Sequence, residues 1–168
     1  MRARYAFEDG YEPDDAPILN GMAERKSSLW LGVAGRWRHE VAHLGLDWLA
    51  DASDHSEGQR LQVTVEKPYR LGNFLHTPRL ALNWLDEDYV DYYYGVRPSE
   101  ARAGRPAYQG ESTLNTELGL RSAYTFSRQH SIYADLSLTW LGDGIKDSPL
   151  VDRDHESAIR FGYVYQFR

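Results

Sequence analysis

The feature of this sequence that most constrains its fold is an alternation of apolar and polar side chains with a period of two residues. In the segment LWLGVAGRWR (29–38), the odd positions are mainly leucine, valine and tryptophan, whereas the even positions include glycine, alanine and two arginines. The same period returns at 44–48, 61–66, 117–126, 132–140 and 159–167. Because successive side chains of a strand point to opposite faces, the pattern predicts strands with one apolar face.

The segments with this alternation predict about eight strands. Most of them are close to roughly 9 to 11 residues, the length with which a tilted strand crosses a membrane. They run approximately over 2–7, 28–38, 41–50, 59–67, 74–85, 113–126, 131–141 and 157–167. Long connections (8–27, 51–58, 86–112 and 142–156) alternate with short ones (39–40, 68–73 and 127–130). Outer-membrane barrels have an even strand number, short periplasmic turns and long external loops. We therefore predict an all-β protein, an antiparallel transmembrane β-barrel, with residues 1–168 as a single domain.

Composition narrows the classes of protein that fit this pattern. Tyrosine and tryptophan are frequent, with 12 and 5 copies, and much of this aromatic content falls near strand ends, as in membrane-interface belts. The mean hydropathy of -0.62 does not separate a membrane barrel from a soluble one, because a barrel wall needs only every second residue apolar. A soluble lipocalin-like barrel, with the apolar side chains turned inward, is the structural alternative. The net charge of -6, without a basic stripe, argues against nucleic-acid binding.

The start of the chain carries no secretory signal. Residues 1–5 (MRARY) contain no basic region followed by an apolar one. Since an outer-membrane protein must be exported, we expect the chain to be the C-terminal part of a larger barrel that lacks its N-terminal portion.

If the apolar positions face lipid, the opposite strand faces turn charged residues toward the lumen. These predicted lumen-facing charges are Arg36, Arg38, Asp47, Glu66, Arg79, Glu117, Arg121, Asp135 and Arg160, and Arg2 and Arg4 share their face. A barrel of eight strands holds little beyond its own side chains, so we expect these charges to pair as a structural network. An arginine-lined passage that favours anions is the alternative, and it requires additional strands.

Few residues suggest chemistry. The acidic runs at 8–15 and 143–154 lack the spacing of a calcium loop, and the six histidines show no metal-site spacing. Two loops carry serine, aspartate and histidine close together, as Ser53, Asp54 and His55 and as Ser148, Asp154, His155 and Ser157. No nucleophile motif surrounds these serines, and sequence proximity alone does not make a catalytic triad. We predict no catalytic, cofactor-binding or metal-binding residue, with a hydrolase at the outer rim as the minor alternative.

The most specific segment is YVDYYYGVRPSEARAGRPAY (89–108). Its tyrosines suggest an aromatic girdle at the membrane rim. Its two Arg-Pro pairs suggest a stiffened loop above that girdle, because proline fixes its own φ and restricts the residue before it. An external or lumen-plugging surface that binds a partner is the functional alternative.

Four blocks of sequence carry a family resemblance: DDAPILNGM (14–22), DYYYGVRPSEARAGRPAY (91–108), DSPLVDRD (147–154) and GYVYQF (162–167). With these blocks the chain resembles the MipA/OmpV family of Gram-negative outer-membrane proteins, also called MltA-interacting proteins. The blocks mark a motif loop and girdle with a structural or partner-binding role, made of Asp91, Tyr92, Tyr93, Tyr94, Gly95, Arg97, Pro98, Gly104, Arg105, Pro106, Tyr108, Ser148, Pro149 and Leu150.

The resemblance implies a location, a role and partners. It implies a longer barrel with a signal peptide, in contact with outer-membrane lipid and lipopolysaccharide. It also implies a non-enzymatic scaffold without cofactors that links a murein lytic transglycosylase to a peptidoglycan synthase. A porin-like passive channel and a surface adhesin are the alternatives that the family leaves open.

Overall fold

The computed structural model describes residues 2–8 and 10–167, which form an antiparallel sheet curled into a half-barrel. Its strands are β1 (Arg2–Glu8), β2 (Ser28–Arg38), β3 (His43–Asp51), β4 (Gln59–Glu66), β5 (Tyr69–Leu71), β6 (Phe74–Leu85), β7 (Thr113–Thr125), β8 (His130–Trp140) and β9 (His155–Tyr165). Each strand pairs with the next one along the chain, except that β5 is a short extension beside β6 and β4 pairs with β6. In the described part of the chain no pairing joins β1 to β9, so the sheet has two open edges. The predicted all-β antiparallel architecture is confirmed.

The sheet has a long-loop end and a short-turn end. The connections 10–27, 52–58, 86–112 and 141–154 all lie at the first, and the turns 39–42, 67–73 and 126–129 lie at the second. The alternation of long and short connections that the sequence predicts is thus present in the structure.

Helices occur only within the long connections of the described chain. They are α1 (Glu87–Tyr94), a 3-10 turn at Pro98–Glu100 and α2 (Asp143–Lys146). The Asp86 side chain caps α1 by accepting a hydrogen bond of 3.0 Å from the amide of Tyr89. The expectation that 86–112 is loop throughout is therefore corrected. In residues 2–8 and 10–167, no helix is both long enough and apolar enough to cross a membrane.

The connection expected as one turn at 68–73 contains the extra strand β5. A proline explains the break between β4 and β5. Pro78 of β6 lies opposite the break and accepts a hydrogen bond of 3.2 Å from the amide of Lys67. Because proline has no backbone N–H, Pro78 cannot donate a hydrogen bond back to Lys67. The pairing with β6 is therefore interrupted at this point and resumes at β5. Gly72, with φ of +59°, then forms the tight turn into β6.

The two faces of the sheet differ in polarity. The convex face exposes large apolar side chains such as Leu31 (49% exposed) and Phe161 (74%), whereas the concave face buries Asp47 and Asp135. The curvature brings side chains of β6 and β8, which are two strands apart, into direct contact over β7. The apolar positions therefore point away from the enclosed side of the sheet.

Two aromatic rows cross the convex face. One, at the short-turn end, contains the cross-strand neighbours Phe74, Tyr124, Ile132 and Tyr163; the other, toward the long-loop end, contains Trp48, Leu61, Trp84 and Leu114. Phe74 and Trp84 are ten residues apart on β6, which is about 33 Å along a strand. At a tilt of about 40° this becomes about 25 Å, the height of the apolar band of an outer-membrane barrel.

Candidate functional site

The long connections fold over the long-loop end of the half-barrel as an ordered cap, which we define as residues 10–27, 86–112 and 141–154. Its centre is α1, which packs into the concave side of the sheet. The shared cluster contains Tyr89, Val90 and Tyr93 from α1, Trp30, Leu49 and Leu85 from the strands, and Ile145 from α2. Because all seven are buried, α1 occupies the mouth of the half-barrel as a plug.

Tyrosine hydroxyls fasten α1 to the first strands. The Tyr89 hydroxyl donates to the carboxylate of Glu8, and the Tyr93 hydroxyl donates to Ser28 Oγ over 3.0 Å. Burial raises the pKa of Tyr93 to about 12 and that of Tyr94 to about 12, since a charged phenolate is poorly solvated there. The Tyr93 hydroxyl therefore stays protonated and acts as a hydrogen-bond donor.

The expectation of an aromatic girdle at Tyr92, Tyr93 and Tyr94 is corrected by this geometry. All three lie in α1 and pack at the central cluster rather than on the convex face. The Tyr92 hydroxyl accepts a hydrogen bond of 2.8 Å from the amide of Lys26. The two aromatic rows of the convex face are built from other residues.

A buried ion pair joins two segments of the cap. Arg25 and Glu100 lie 3.1 Å apart, and their side chains are 1% and 5% exposed. Burial alone would raise the pKa of Glu100. Hydrogen bonds from Arg25 and from the amides of Ala23 and Arg97 outweigh that effect and lower this pKa to about 2. Glu100 is thus a carboxylate that holds residues 10–27 against the segment 95–112.

Arg105 makes a second connection between the same segments, through backbone carbonyls rather than through a carboxylate. Its guanidinium donates to the carbonyl of Glu100 at 2.6 Å, to that of Asn20 at 3.2 Å and to that of Ile18. Gly104, with φ of +82°, forms the turn that points the Arg105 side chain inward. Pro106 follows Arg105 directly. The Gly-Arg-Pro motif is therefore part of the cap's internal framework.

The other residues of the motif loop meet in the same cap. The carboxylate of Asp91 accepts from the amide of Gly110 at 2.8 Å, and Tyr108 donates to the carbonyl of Gly144 at 3.0 Å. Ser148 donates to the carbonyl of Tyr94 at 2.6 Å. Gly95, whose amide donates to the carbonyl of Asp91, lies in the same cap, as do Arg97 and Pro98 at the 3-10 turn. Pro149 is half-buried in the cap, and Leu150 packs against the smaller cluster of Leu19, Met22 and Val96.

The concave face below the cap carries two groups of charges. In the first, the buried Asp47 contacts both Arg4 and Arg36, the latter at 3.4 Å. In the second, Arg79 contacts Glu117 at 2.7 Å and Asp135 at 2.9 Å, and Arg121 contacts Asp135 at 2.8 Å. We call the second group the quartet. Its two positive and two negative groups balance.

Glycines of the concave face make room for bulky neighbours. Gly45, Gly119 and Gly162 each lie directly across from a large residue on the adjacent strand, respectively Arg36, Arg79 and Tyr133. A Cβ atom at these glycines would stand 2.5 Å or less from those side chains. The large side chains therefore lie flat over the glycines, an alternation of small and large residues that fills the inside of a narrow barrel.

The remaining charges named from the sequence are spread along the same face. Glu66 lies 3.8 Å from His43. Arg38 and Arg160 are exposed, and neither forms an ion pair with any residue that the structure describes. Arg160 is the cross-strand neighbour of Asp135 at the β9 edge of the sheet.

The serines and histidines of the long loops do not form a nucleophile–base pair among the described residues. Ser53 Oγ donates to Asp51 at 2.6 Å, while His55 Nδ1 lies 2.9 Å from the carbonyl oxygen of Ser27. His155 contacts its neighbour Asp154 at 2.7 Å, and Ser148 is bonded to α1. Within 2–8 and 10–167, no three His, Cys, Asp or Glu side chains cluster as metal ligands; residue 9, in the first acidic run, lies outside the described residues.

Comparisons with known proteins identify similar sequences. A family model described as "MltA-interacting protein MipA" matches residues 2–167. The chain is 30% identical over 150 residues to the MltA-interacting protein of Escherichia coli (strain K12), covering 89% of this chain and 60% of that protein. It is 27% identical over 167 residues to the outer membrane protein OmpV of Vibrio cholerae, with 94% and 61% covered.

A third relative is the outer membrane protein Omp26La of Vibrio anguillarum, 26% identical over 157 residues, with 94% of this chain and 61% of that protein covered. The chain thus spans about three-fifths of the length of the curated relatives it matches. No solved structure matches it.

Proposed function

The chain belongs to the MltA-interacting protein family, and on that premise we propose that it is part of a non-enzymatic outer-membrane β-barrel that acts as a scaffold for murein enzymes. The single observation that carries the membrane part of the proposal is the polarity of the sheet. Its convex face is apolar between two aromatic rows, and its concave face is charged.

This polarity suits a lipid environment. Exposed side chains such as Leu46 (51%) and Ile159 (58%) would be costly in water over so large a contiguous face, but they match acyl chains. The convex face would contact outer-membrane lipid, with lipopolysaccharide around the cap. Relatives that carry the name outer membrane protein support this location.

The two ends of the half-barrel suggest its orientation. Outer-membrane barrels keep their short turns in the periplasm, so the turns 39–42, 67–73 and 126–129 would face the murein layer. The cap would then face outward. A periplasmic enzyme would meet the short-turn end, where exposed residues such as Glu40 and Arg128 are available.

The proposed partner is a murein lytic transglycosylase, and the support is the name of the relative in Escherichia coli, an MltA-interacting protein. A peptidoglycan synthase would be the second enzyme on the scaffold. The non-enzymatic part of the proposal is supported by the loop geometry, in which Ser53, His55 and Ser148 each bond to a partner other than a nucleophile or base of a triad.

Site-specific photo-crosslinking tests the proposal. The full-length protein would carry a photoreactive amino acid at Glu40 or at Arg128 and would be irradiated with the purified transglycosylase of the same organism. We expect crosslinks at these positions and none from a control probe at Asp152, which is exposed in the cap at the opposite end. Crosslinking only from Asp152, or from none of the three, would contradict the scaffold at the short-turn end.

A further inference from the structure

The arginines of the concave face are unevenly balanced by carboxylates. In the quartet, Arg79 and Arg121 meet Glu117 and Asp135, so two positive charges face two negative ones. On β1 and β2 the proportion is different. Four arginines share a groove with a single carboxylate, and this excess stands out in a chain whose net charge is -6.

The groove is defined by Arg2, Arg4, Arg36, Arg38 and Asp47, and its volume is about 640 Å³. Asp47 is 4% exposed at its side chain and touches Arg4 and Arg36. No carboxylate of residues 2–8 or 10–167 lies within ion-pair distance of Arg2 or Arg38. Among the described residues, the groove therefore has a surplus of about three positive charges at neutral pH, since arginine stays protonated.

Small residues lie across from two of these arginines. Gly45 lies across from Arg36, and a Cβ atom there would stand 2.5 Å from the guanidinium. Ala34, also a small residue, is the cross-strand neighbour of Arg2. Arg36 thus packs against Gly45 on one side and contacts Asp47 on another, while about half of its side chain (49%) is exposed to solvent.

Together these observations lead to a ligand class. We propose that the groove of Arg2, Arg4, Arg36 and Arg38 binds a small oxyanion that carries phosphate or carboxylate groups. Guanidinium presents paired N–H donors whose spacing matches two oxygens of such a group, and several converging arginines favour a ligand with more than one negative charge. Asp47 holds the guanidinium groups of Arg4 and Arg36 in position, while those of Arg2 and Arg38 are available to the ligand.

The location of the groove indicates how a ligand would reach it. Arg36 and Arg38 are at the end of β2 and Arg2 is at the start of β1, so all three are near the short-turn end. The cap closes the opposite end through α1. An anion would therefore enter from the short-turn side, which is the periplasmic side if the proposed orientation holds; binding itself does not depend on that orientation or on the murein partner.

Calorimetric titration of the full-length protein in a zwitterionic detergent tests the site, with inorganic phosphate and citrate as the two probes. We expect saturable binding of at least one probe, and citrate alone would assign the site to carboxylates. In the double variant R36Q/R38Q the dissociation constant should rise at least about tenfold, because two charge-assisted contacts are lost.

Two further variants keep the outcome interpretable. R2Q removes a guanidinium that forms no ion pair with a described residue, so it should weaken binding without disturbing the fold even if R36Q/R38Q is unstable. R153Q removes the same charge from an exposed cap residue and should leave binding unchanged. Absence of binding by the wild-type protein, or equal weakening by R153Q and R2Q, would overturn the proposal.

Discussion

The buried ion pair of the cap allows the most detailed prediction. In the variant Glu100→Gln, Arg25 keeps its burial but loses its carboxylate. The shift of the Glu100 pKa from 4.5 to about 2 corresponds to about 3 kcal/mol, and breaking a buried ion pair from one side typically costs about 3 to 5 kcal/mol. We therefore expect the cap to be destabilised by about 3 kcal/mol.

Hydrogen exchange measures this loss directly. Amides in 10–27 and 95–112 of the full-length variant should exchange roughly a hundredfold faster than in wild type, while the strand amides stay protected. Glu24→Gln is the matched control, because Glu24 is next to Arg25 but exposed. Unchanged exchange in Glu100→Gln, or an equal acceleration in the control, would refute the role of the ion pair.

The same carboxylate predicts a pH dependence. Because the pKa of Glu100 is lowered in the folded cap, its stabilising contribution is complete above the unfolded value near 4.5 and is lost as the pH falls toward about 2. The near-ultraviolet circular dichroism of the buried tyrosines should therefore weaken between pH 4.5 and 2 in wild type. A signal that weakens instead on raising the pH from 5 to 8 would contradict this assignment.

Two further predictions concern the strands. Gly32→Ala should destabilise the barrel by about 2 kcal/mol or more, because its Cβ would stand 1.9 Å from a backbone carbonyl oxygen of β3. In Gly35→Ala, on the same strand, the added Cβ atom would have no neighbouring atom of the described residues within 4 Å, so the variant should have little effect. The two variants would be compared by unfolding in urea, with the folded fraction measured from the difference in gel mobility between folded and unfolded barrels. Asp135→Asn should lower stability in that assay by about 2 to 3 kcal/mol, since Arg79 and Arg121 lose their shared carboxylate. Wild-type stability for Asp135→Asn would show that the quartet contributes nothing.

The strands could be predicted from the sequence because their signal is local. A period of two residues needs no knowledge of distant parts of the chain, and the convex face follows from it directly. Helix α1 could not be predicted in the same way. Its eight residues make about two turns, too few for a helical period to stand out, and its burial depends on Trp30 and Leu49, which are far away in sequence.

The alternation of apolar and polar residues also does not reveal which charged side chains form ion pairs. Arg79 meets Asp135 across an intervening strand, and that contact requires both the register and the curvature of the sheet. One signal was present in the sequence. Gly45 and Gly119 occupy polar-face positions that need no glycine for a turn, and such glycines indicate large residues across from them.

The central claim is that the apolar face of the sheet meets lipid, and tryptophan quenching tests it most directly. The full-length protein would be reconstituted into vesicles with brominated acyl chains, in variants that keep either Trp84 or Trp30 as the single tryptophan. Trp84 is 39% exposed on the convex face and should be strongly quenched, whereas the fully buried Trp30 should keep its fluorescence. Strong quenching of Trp30 with an unaffected Trp84 would contradict the account.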